Sequence, residues 1–299
     1  MPSNDPRPTK NDRREAARAE AARLRAEQER KARRTRLVAI SALAAAVVAL
    51  GVVVAVVLTR SASNREAYGE VAYGAGAEGV VAPELADVTA PAAANDEGGI
   101  TVTGAGVGEP GDAPVDLTVY LDYQCPFCAQ FEAANGEMLA ERVAAGDISV
   151  DYRILTFLDS ASNGTFYSTR AANAAAVVAD RSPEHFLDLT QSLFARQPAE
   201  GTSGLTDEEI AEIATEVGVP ENVTEDFTAT VTGTFTEGGS SGEGTWRTFA
   251  PWLAAATAKA SADLGGISTP TILVDGERFE GNPITAGPLE EAIDLALAG

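Results

Sequence analysis

The chain has 299 residues and a formal net charge of −22, with 44 acidic side chains against 22 basic ones. Twelve of the basic side chains lie in residues 1–36, so residues 61–299 carry only 9 basic side chains against 38 acidic ones. This excess of negative charge excludes nucleic-acid binding by residues 61–299.

The N-terminal part of the sequence predicts a membrane anchor. Residues 1–36 are basic, with a helical pattern over residues 13–36, and residues 37–59 follow as 23 uncharged residues dominated by Val, Ala and Leu. A helix of that length spans the roughly 30 Å hydrocarbon core of a bilayer. A cleaved signal peptide is the alternative, but its apolar region is only about 7–15 residues long, so an uncleaved signal anchor is favoured.

The basic flank predicts a cytoplasmic segment over residues 1–36 and an extracytoplasmic location for everything after the anchor. Residues 60–99 are rich in Ala, Gly and Glu and show little hydrophobic periodicity, which predicts a flexible linker. Residues 100–299 then have the length of one domain with a substantial core.

The pattern of residues 100–299 predicts an α/β domain. Apolar and β-branched runs predict strands over residues 100–103, 115–123 and 148–157, and a helix over residues 129–145 ends at Gly146. A helical insertion follows over about residues 165–264, interrupted by a Gly-, Ser- and Thr-rich loop. Its predicted helices cover residues 166–180, 182–196, 206–218, 221–231 and 246–264, and the loop covers residues 232–244. A strand over residues 271–274, a hairpin turn and a helix over residues 288–297 complete the domain.

The only two cysteines, Cys125 and Cys128, stand where the second predicted strand gives way to the first predicted helix of the domain. The spacing predicts Cys125 at the N-cap and Pro126 at the first helical position, where its missing N–H has no cost. Free N–H groups and the macrodipole at a helix N-terminus favour a thiolate and lower the pKa of a cysteine. The sequence therefore predicts a redox-active pair, with Cys125 as the exposed, attacked sulfur and Cys128 as the buried, resolving one.

Three other readings of the cysteine pair are open. A zinc site needs two further ligands, but no other cysteine exists and His185 is the only histidine, so no metal is expected. A structural disulfide around so short a loop adds little constraint to the unfolded chain. Two inert buried cysteines are the third reading, for which Pro126 between them would be coincidental. A CxxC at a strand-to-helix turn favours the redox pair.

Two segments resemble the signatures of DsbA-like thiol-disulfide oxidoreductases, particularly the membrane-tethered forms of Gram-positive bacteria. They are residues 120–132, YLDYQCPFCAQFE, and residues 266–271, GISTPT. The resemblance implies a thioredoxin-like fold with an inserted helical domain, preceded by a single transmembrane helix. It also implies a cis bond between Thr269 and Pro270, which frees the Thr269 backbone to pair with an extended substrate. An ordinary trans bond is the alternative, because only about 5% of X–Pro bonds in folded proteins are cis.

The sequence departs from the family pattern near the cysteines. The best-known DsbA carries a histidine at the position of Phe127, which stabilises the thiolate. Because Phe127 donates no hydrogen bond to the sulfur, the pKa of Cys125 should be lowered less and the disulfide should be less oxidising. Many thioredoxin-fold proteins bury an acid at the position of Val119. Glu132, four residues after Cys128, matches a family glutamate that helps to move a proton, although a solvated helix glutamate is the alternative. Asp122 is a second candidate for charge near the sulfur atoms.

The resemblance implies an extracytoplasmic oxidase of the cell membrane that donates its disulfide to reduced or misoxidised exported proteins. It needs no bound cofactor beyond the redox-active disulfide, and a membrane reoxidase of the DsbB or vitamin K epoxide reductase-like kind would restore that disulfide. Two alternatives stay open: an extracytoplasmic reductase or isomerase, and a non-catalytic tethered module that binds clients.

Overall fold

The computed structural model describes residues 10–69, 73 and 79–299, and the chain divides into two units, residues 1–59 and residues 60–299. In the first unit lies most of helix α1, Lys10–Tyr68. The predicted apolar run, residues 37–59, lies within this helix, and its large Leu, Ile and Val side chains are exposed. By length and composition, α1 is able to cross a membrane.

The second unit is built on a six-stranded sheet and a smaller three-stranded one. Its strands are β1 Val80–Val81, β2 Ile100–Thr103, β3 Gly106–Val107, β4 Val115–Leu121, β5 Ile148–Ile154, β6 Thr230–Glu237, β7 Ser240–Arg247, β8 Thr271–Val274 and β9 Glu277–Arg278. Its helices are α2 Pro126–Ala145, α3 Tyr167–Arg181, α4 Phe186–Ala195, α5 Asp207–Glu216, α6 Glu221–Thr224, α7 Ala250–Leu264 and α8 Pro288–Ala298.

The larger sheet has the strand order β3-β2-β5-β4-β8-β9. Strand β4 runs parallel to β5 and antiparallel to β8, and α2 is the crossover between β4 and β5. The side chains of Phe131 and Leu139 on α2 are fully buried in the same core as Leu117 and Val119 on β4. This is the thioredoxin-like α/β arrangement that the sequence predicted, with the start of α2 at the carboxyl end of the central strand.

The helical insertion between β5 and β8 contains a β-hairpin where the sequence predicted a loop over residues 232–244. Strands β6 and β7 pair over their whole length, and β1 adds a third strand. Gly233 and Gly244 stand where a larger side chain would contact the indole of Trp246. The strands therefore carry glycine at inward positions, and glycine interrupts the alternation of apolar and polar residues in the sequence. The turn residues Gly238 and Gly239 both have positive φ, 56° and 83°, as a tight hairpin turn requires. The predicted helix over residues 221–231 is too long: a 3-10 helix continues from α6 to Thr228, and strand β6 begins at Thr230.

The prediction of a flexible linker over residues 60–99 needs correction. Residues 60–68 continue α1, residues 70–72 and 74–78 lie outside the described residues, and residues 80–99 pack on the domain. The Ala92 N–H donates to Asp180, and Leu85 and Val88 pack against the main core. A few well-placed apolar side chains therefore hold a segment whose average composition is that of a linker.

Candidate active site

The two cysteines lie at the start of α2 as the sequence predicted. Cys125 is the N-cap residue with extended backbone angles, and Pro126 opens the helix. Both cysteines are free thiols, with 4% of Cys125 and 0% of Cys128 exposed. The prediction of an exposed Cys125 is therefore wrong, because both cysteines are buried, although Cys125 is slightly more exposed than Cys128. The two residues between them, Pro126 and Phe127, are instead exposed, Phe127 at 54%.

The surroundings of the two thiols separate their acidities. A hydrogen bond from the Cys128 thiol lowers the pKa of Cys125 to about 6, against an opposing effect of burial. Smaller contributions come from Thr269 and from the backbone N–H groups of Cys128 and Phe127. Burial, and then the neighbouring Cys125, raise the pKa of Cys128 well above its ordinary value. At neutral pH the reduced pair therefore holds one thiolate, on Cys125, beside one thiol.

The second signature lies directly beside Cys125. The Thr269–Pro270 peptide bond, which precedes β8, is cis. The carbonyl oxygen of Thr269 lies 3.4 Å from the Cys125 sulfur and accepts a hydrogen bond from it when Cys125 is protonated. The fold thus brings together two segments that are 144 residues apart in sequence.

Asp122 supports the active-site turn rather than facing the Cys125 sulfur. Its fully buried carboxylate accepts hydrogen bonds from the N–H groups of Gln124 and Leu158 and from the Ser168 hydroxyl, at 2.8, 3.0 and 2.7 Å. Its carbonyl oxygen accepts the Cys125 N–H at 2.9 Å. Burial raises the pKa of Asp122 to about 7 despite these hydrogen bonds. The Asp122 carboxyl group therefore loses its negative charge as the pH falls through about 7.

Glu132 is buried, so the alternative of a solvated helix glutamate is wrong. Only 7% of the residue is exposed, and burial raises the pKa of its carboxyl group to about 7, partly offset by a hydrogen bond with Gln191. Its Oε2 atom has no hydrogen-bond partner among the residues that the structure describes. Gly136, one turn further along α2, makes room for this carboxylate, because a Cβ there would clash with Oε1.

Sequence reasoning missed the contribution of the helical insertion to the site. Gln197, just after α4, donates hydrogen bonds to the carbonyl oxygens of Tyr123 and Cys125. The Tyr123 hydroxyl is bonded to Thr190 on α4 at 2.9 Å. The helical spacing of residues 190, 194 and 197 was a signal for a common face, but only the fold shows what that face contacts. Within the described residues, no cluster of three or more His, Cys, Asp or Glu side chains is arranged to hold a metal ion.

A family model described as thioredoxin matches residues 101–295. Among solved structures, the chain is similar to oxidised DsbA from Mycobacterium tuberculosis, with 28% identity and a TM-score of 0.50 over 67% of this chain and 93% of that one. It is also similar in fold to MdbA, a thiol-disulfide oxidoreductase from Corynebacterium diphtheriae, with 23% identity and a TM-score of 0.50 over 70% of this chain and 92% of that one. BdbD from Bacillus subtilis gives 20% identity and a TM-score of 0.52 over 71% of this chain and 100% of that one.

A shorter match joins part of the chain to part of a longer protein. It is 34% identical over 110 residues to the serine/threonine-protein kinase PknE of Mycobacterium tuberculosis, which is 36% of this chain and 19% of PknE. The chain therefore matches about a fifth of the length of this curated relative.

Proposed function

The chain belongs to the thioredoxin family, and we propose that it is a membrane-anchored, DsbA-like thiol-disulfide oxidoreductase that oxidises exported proteins. The observation that carries the proposal is the pair of unequal thiols at the N-terminus of α2. Cys125, with its pKa lowered to about 6, lies against the Thr269 carbonyl, while the Cys128 thiol is buried and has a raised pKa. The likeness to DsbA from Mycobacterium tuberculosis supports the same class of chemistry.

The proposed reaction is a two-electron exchange between a client dithiol and the Cys125–Cys128 disulfide. A client thiolate attacks the Cys125 sulfur, which forms a mixed disulfide, breaks the bond between the enzyme's two sulfurs and releases Cys128 as a thiolate that takes up a proton. A second client thiolate attacks the client sulfur of the mixed disulfide, forms the client disulfide and releases Cys125 as a thiolate. The client loses two electrons and two protons. The enzyme gains both electrons and keeps one proton on Cys128, and the other proton passes to solvent because Cys125 leaves as a thiolate.

The acidity of Cys125 favours the oxidase direction. At pH 7 a group with a pKa of about 6 is roughly nine-tenths ionised, whereas a thiol at the ordinary value of 9.0 is almost entirely protonated. The difference stabilises the reduced enzyme by about 1.4 kcal/mol, equivalent to about 30 mV in a two-electron couple. A more stable reduced form makes the disulfide a stronger oxidant, which is the opposite of what a disulfide reductase needs.

The proposed location follows from α1 and from the chemistry. The positive-inside rule supports a cytoplasmic location for the basic residues before residue 37 and, in consequence, an extracytoplasmic location for residues 60–299. Stable client disulfides form in oxidising compartments. Each turnover leaves the enzyme reduced, so a membrane reoxidase of the DsbB or vitamin K epoxide reductase-like kind is the proposed electron acceptor. The clients are exported proteins with unpaired or wrongly paired cysteines.

Substitution of the resolving cysteine tests the proposed catalysis. In cells that express Cys128→Ala, the mixed disulfide between Cys125 and its clients should accumulate, visible as high-molecular-weight species on non-reducing gels that collapse on reduction. Cys125→Ala is the matched control, because it removes the attacked sulfur and leaves Cys128. If the two variants give the same pattern, or if Cys128→Ala traps nothing, the chain is a binding module rather than an oxidoreductase.

A further inference from the structure

The segment that follows α4 is bonded to the active-site turn. The side-chain amide of Gln197 donates to the carbonyl oxygen of Tyr123 at 2.8 Å and to that of Cys125 at 2.9 Å. In the reverse direction, the amide of Gln124 on the turn lies 3.5 Å from the carbonyl oxygen of Ala199. Two glutamine amides thus connect segments that are more than 70 residues apart in sequence.

Thr190, Phe194 and Gln197 lie on one face of α4 and the residues that follow it, and all three contact Tyr123. Thr190 bonds to the Tyr123 hydroxyl at 2.9 Å, and the rings of Phe194 and Tyr123 have centroids 5.0 Å apart. Gln197 comes next along this face, where its N–H donates to the carbonyl oxygen of Phe194 at 3.2 Å. Tyr123 is fully buried beneath these contacts, so the Gln197 amide is held by packing as well as by its own hydrogen bonds.

The two carbonyl groups that Gln197 contacts belong to the backbone that carries the attacked sulfur. The Cys125 carbonyl oxygen also accepts the N–H groups of Cys128 and Ala129, at 3.0 and 3.3 Å, and so begins the hydrogen-bond ladder of α2. A carbonyl oxygen is the negative end of a peptide dipole, and an amide N–H that binds it offsets this negative potential. Four other ionisable side chains lie on the turn or the first turns of α2: Asp122, Tyr123, Cys128 and Glu132. The Asp122 carboxyl is occupied by hydrogen bonds from Gln124 and Ser168, and the Tyr123 hydroxyl is bonded to Thr190.

We propose that Gln197 is a positioning residue of the helical insertion that holds the carbonyl groups of Tyr123 and Cys125 in place and offsets their negative potential at the Cys125 sulfur. The insertion then tunes the reactive thiolate as well as covering one side of the domain. Such a contribution suits this chain, in which the side chain between the two cysteines, Phe127, offers the sulfur no hydrogen bond. The consequence for oxidation of clients rests on the proposed function, whereas the effect on the thiolate does not.

The test is the ionisation of Cys125 in the reduced full-length protein, followed by ultraviolet absorbance of the thiolate as pH is varied. Gln197→Met keeps the length of the side chain but offers no N–H, and it should raise the pKa of Cys125 by about 0.5–1 unit, the equivalent of one ordinary hydrogen bond. Gln197→Glu, which sets a carboxylate against the two carbonyl groups, should raise it further. The rate of alkylation of Cys125 by iodoacetamide at pH 6 should fall with the thiolate fraction in both variants.

Leu187→Ala on the same helix is the control for a purely structural role. Leu187 is partly buried against the core, so its truncation lowers thermal stability without removing a hydrogen bond from the turn. A Gln197→Met protein that melts earlier but titrates like the wild type, as Leu187→Ala should, would overturn the proposal. If Gln197→Met does not fold, Gln197→Glu undergoes the same titration. No client is present in these measurements, so they test the role of Gln197 separately from the proposed oxidase function.

Discussion

Phe127 offers the sharpest test of how this site sets its redox potential. It lies between the two cysteines in the first turn of α2, its backbone N–H helps to stabilise the Cys125 thiolate, and its side chain is 54% exposed. Phe127→His therefore introduces a hydrogen-bond donor beside the sulfur without opening a cavity in the core. The substitution should make the disulfide more oxidising.

The size of the effect follows from the thiolate. A hydrogen bond to a charged group contributes about 1.5–3 kcal/mol, which corresponds to about one to two pKa units. The pKa of Cys125 should therefore fall from about 6 to about 4–5. At pH 7 each unit by which the pKa of Cys125 falls raises the equilibrium constant for reduction of the enzyme about tenfold, which equals about 30 mV for two electrons. The reduction potential should therefore rise by about 30–60 mV.

Equilibration of the full-length protein with glutathione buffers, followed by alkylation of free thiols and gel analysis, measures this potential. Phe127→Ala is the matched control, because it removes the ring but adds no donor, and its potential should stay within ~10 mV of the wild type. Equal potentials for the histidine and alanine variants, with an unchanged pKa of Cys125, would refute the idea that hydrogen bonding to the thiolate sets the potential.

Three further predictions follow from the buried carboxyl groups and from α1. Burial raises the pKa of Asp122 from 3.8 to about 7, so the folded state holds this proton more tightly than the unfolded chain does. The resulting stabilisation is complete below about pH 4 and is lost as pH rises through about 7, an effect of about 4 kcal/mol that Asp122→Asn should abolish in denaturant titrations at a series of pH values. Glu132→Gln should remove an inflection near pH 7 from the pH–rate profile of client oxidation, since the pKa of Glu132 is about 7, whereas Glu137→Gln at an exposed position of the same helix should retain it. Deletion of residues 1–59 should move the protein from the membrane fraction to the soluble fraction, and continued membrane association would contradict an anchor in α1.

Both ends of α2 were predictable because the signals that begin and end a helix are local. An N-cap position, a proline at the first turn and a glycine stop, here Gly146 in a left-handed conformation, depend on a few neighbouring residues. The central strands were predictable for the same reason, since a short apolar run bounded by turns identifies a buried strand.

The remainder of the site depends on packing between distant segments. The spacing of Glu132 from Cys128 gives a helix face but does not reveal that α4 covers it, so the burial of its carboxylate was not predictable. Gln197 is 72 residues from Cys125, and nothing in its own sequence neighbourhood connects it with the turn. The β6–β7 hairpin was missed because its sequence is rich in glycine, which is depleted in strands and typical of loops. Only the pairing of the two segments in the fold identifies them as strands.

The reduction potential of the wild-type protein tests the central claim most directly. The purified full-length chain is equilibrated in detergent with reduced and oxidised glutathione at pH 7, and the fraction with free Cys125 and Cys128 is counted by alkylation and mass spectrometry. An oxidase should have a potential nearer to the roughly −120 mV of a strongly oxidising DsbA than to that of thioredoxin. A value near the roughly −270 mV of thioredoxin would contradict the oxidase function and favour a reductase.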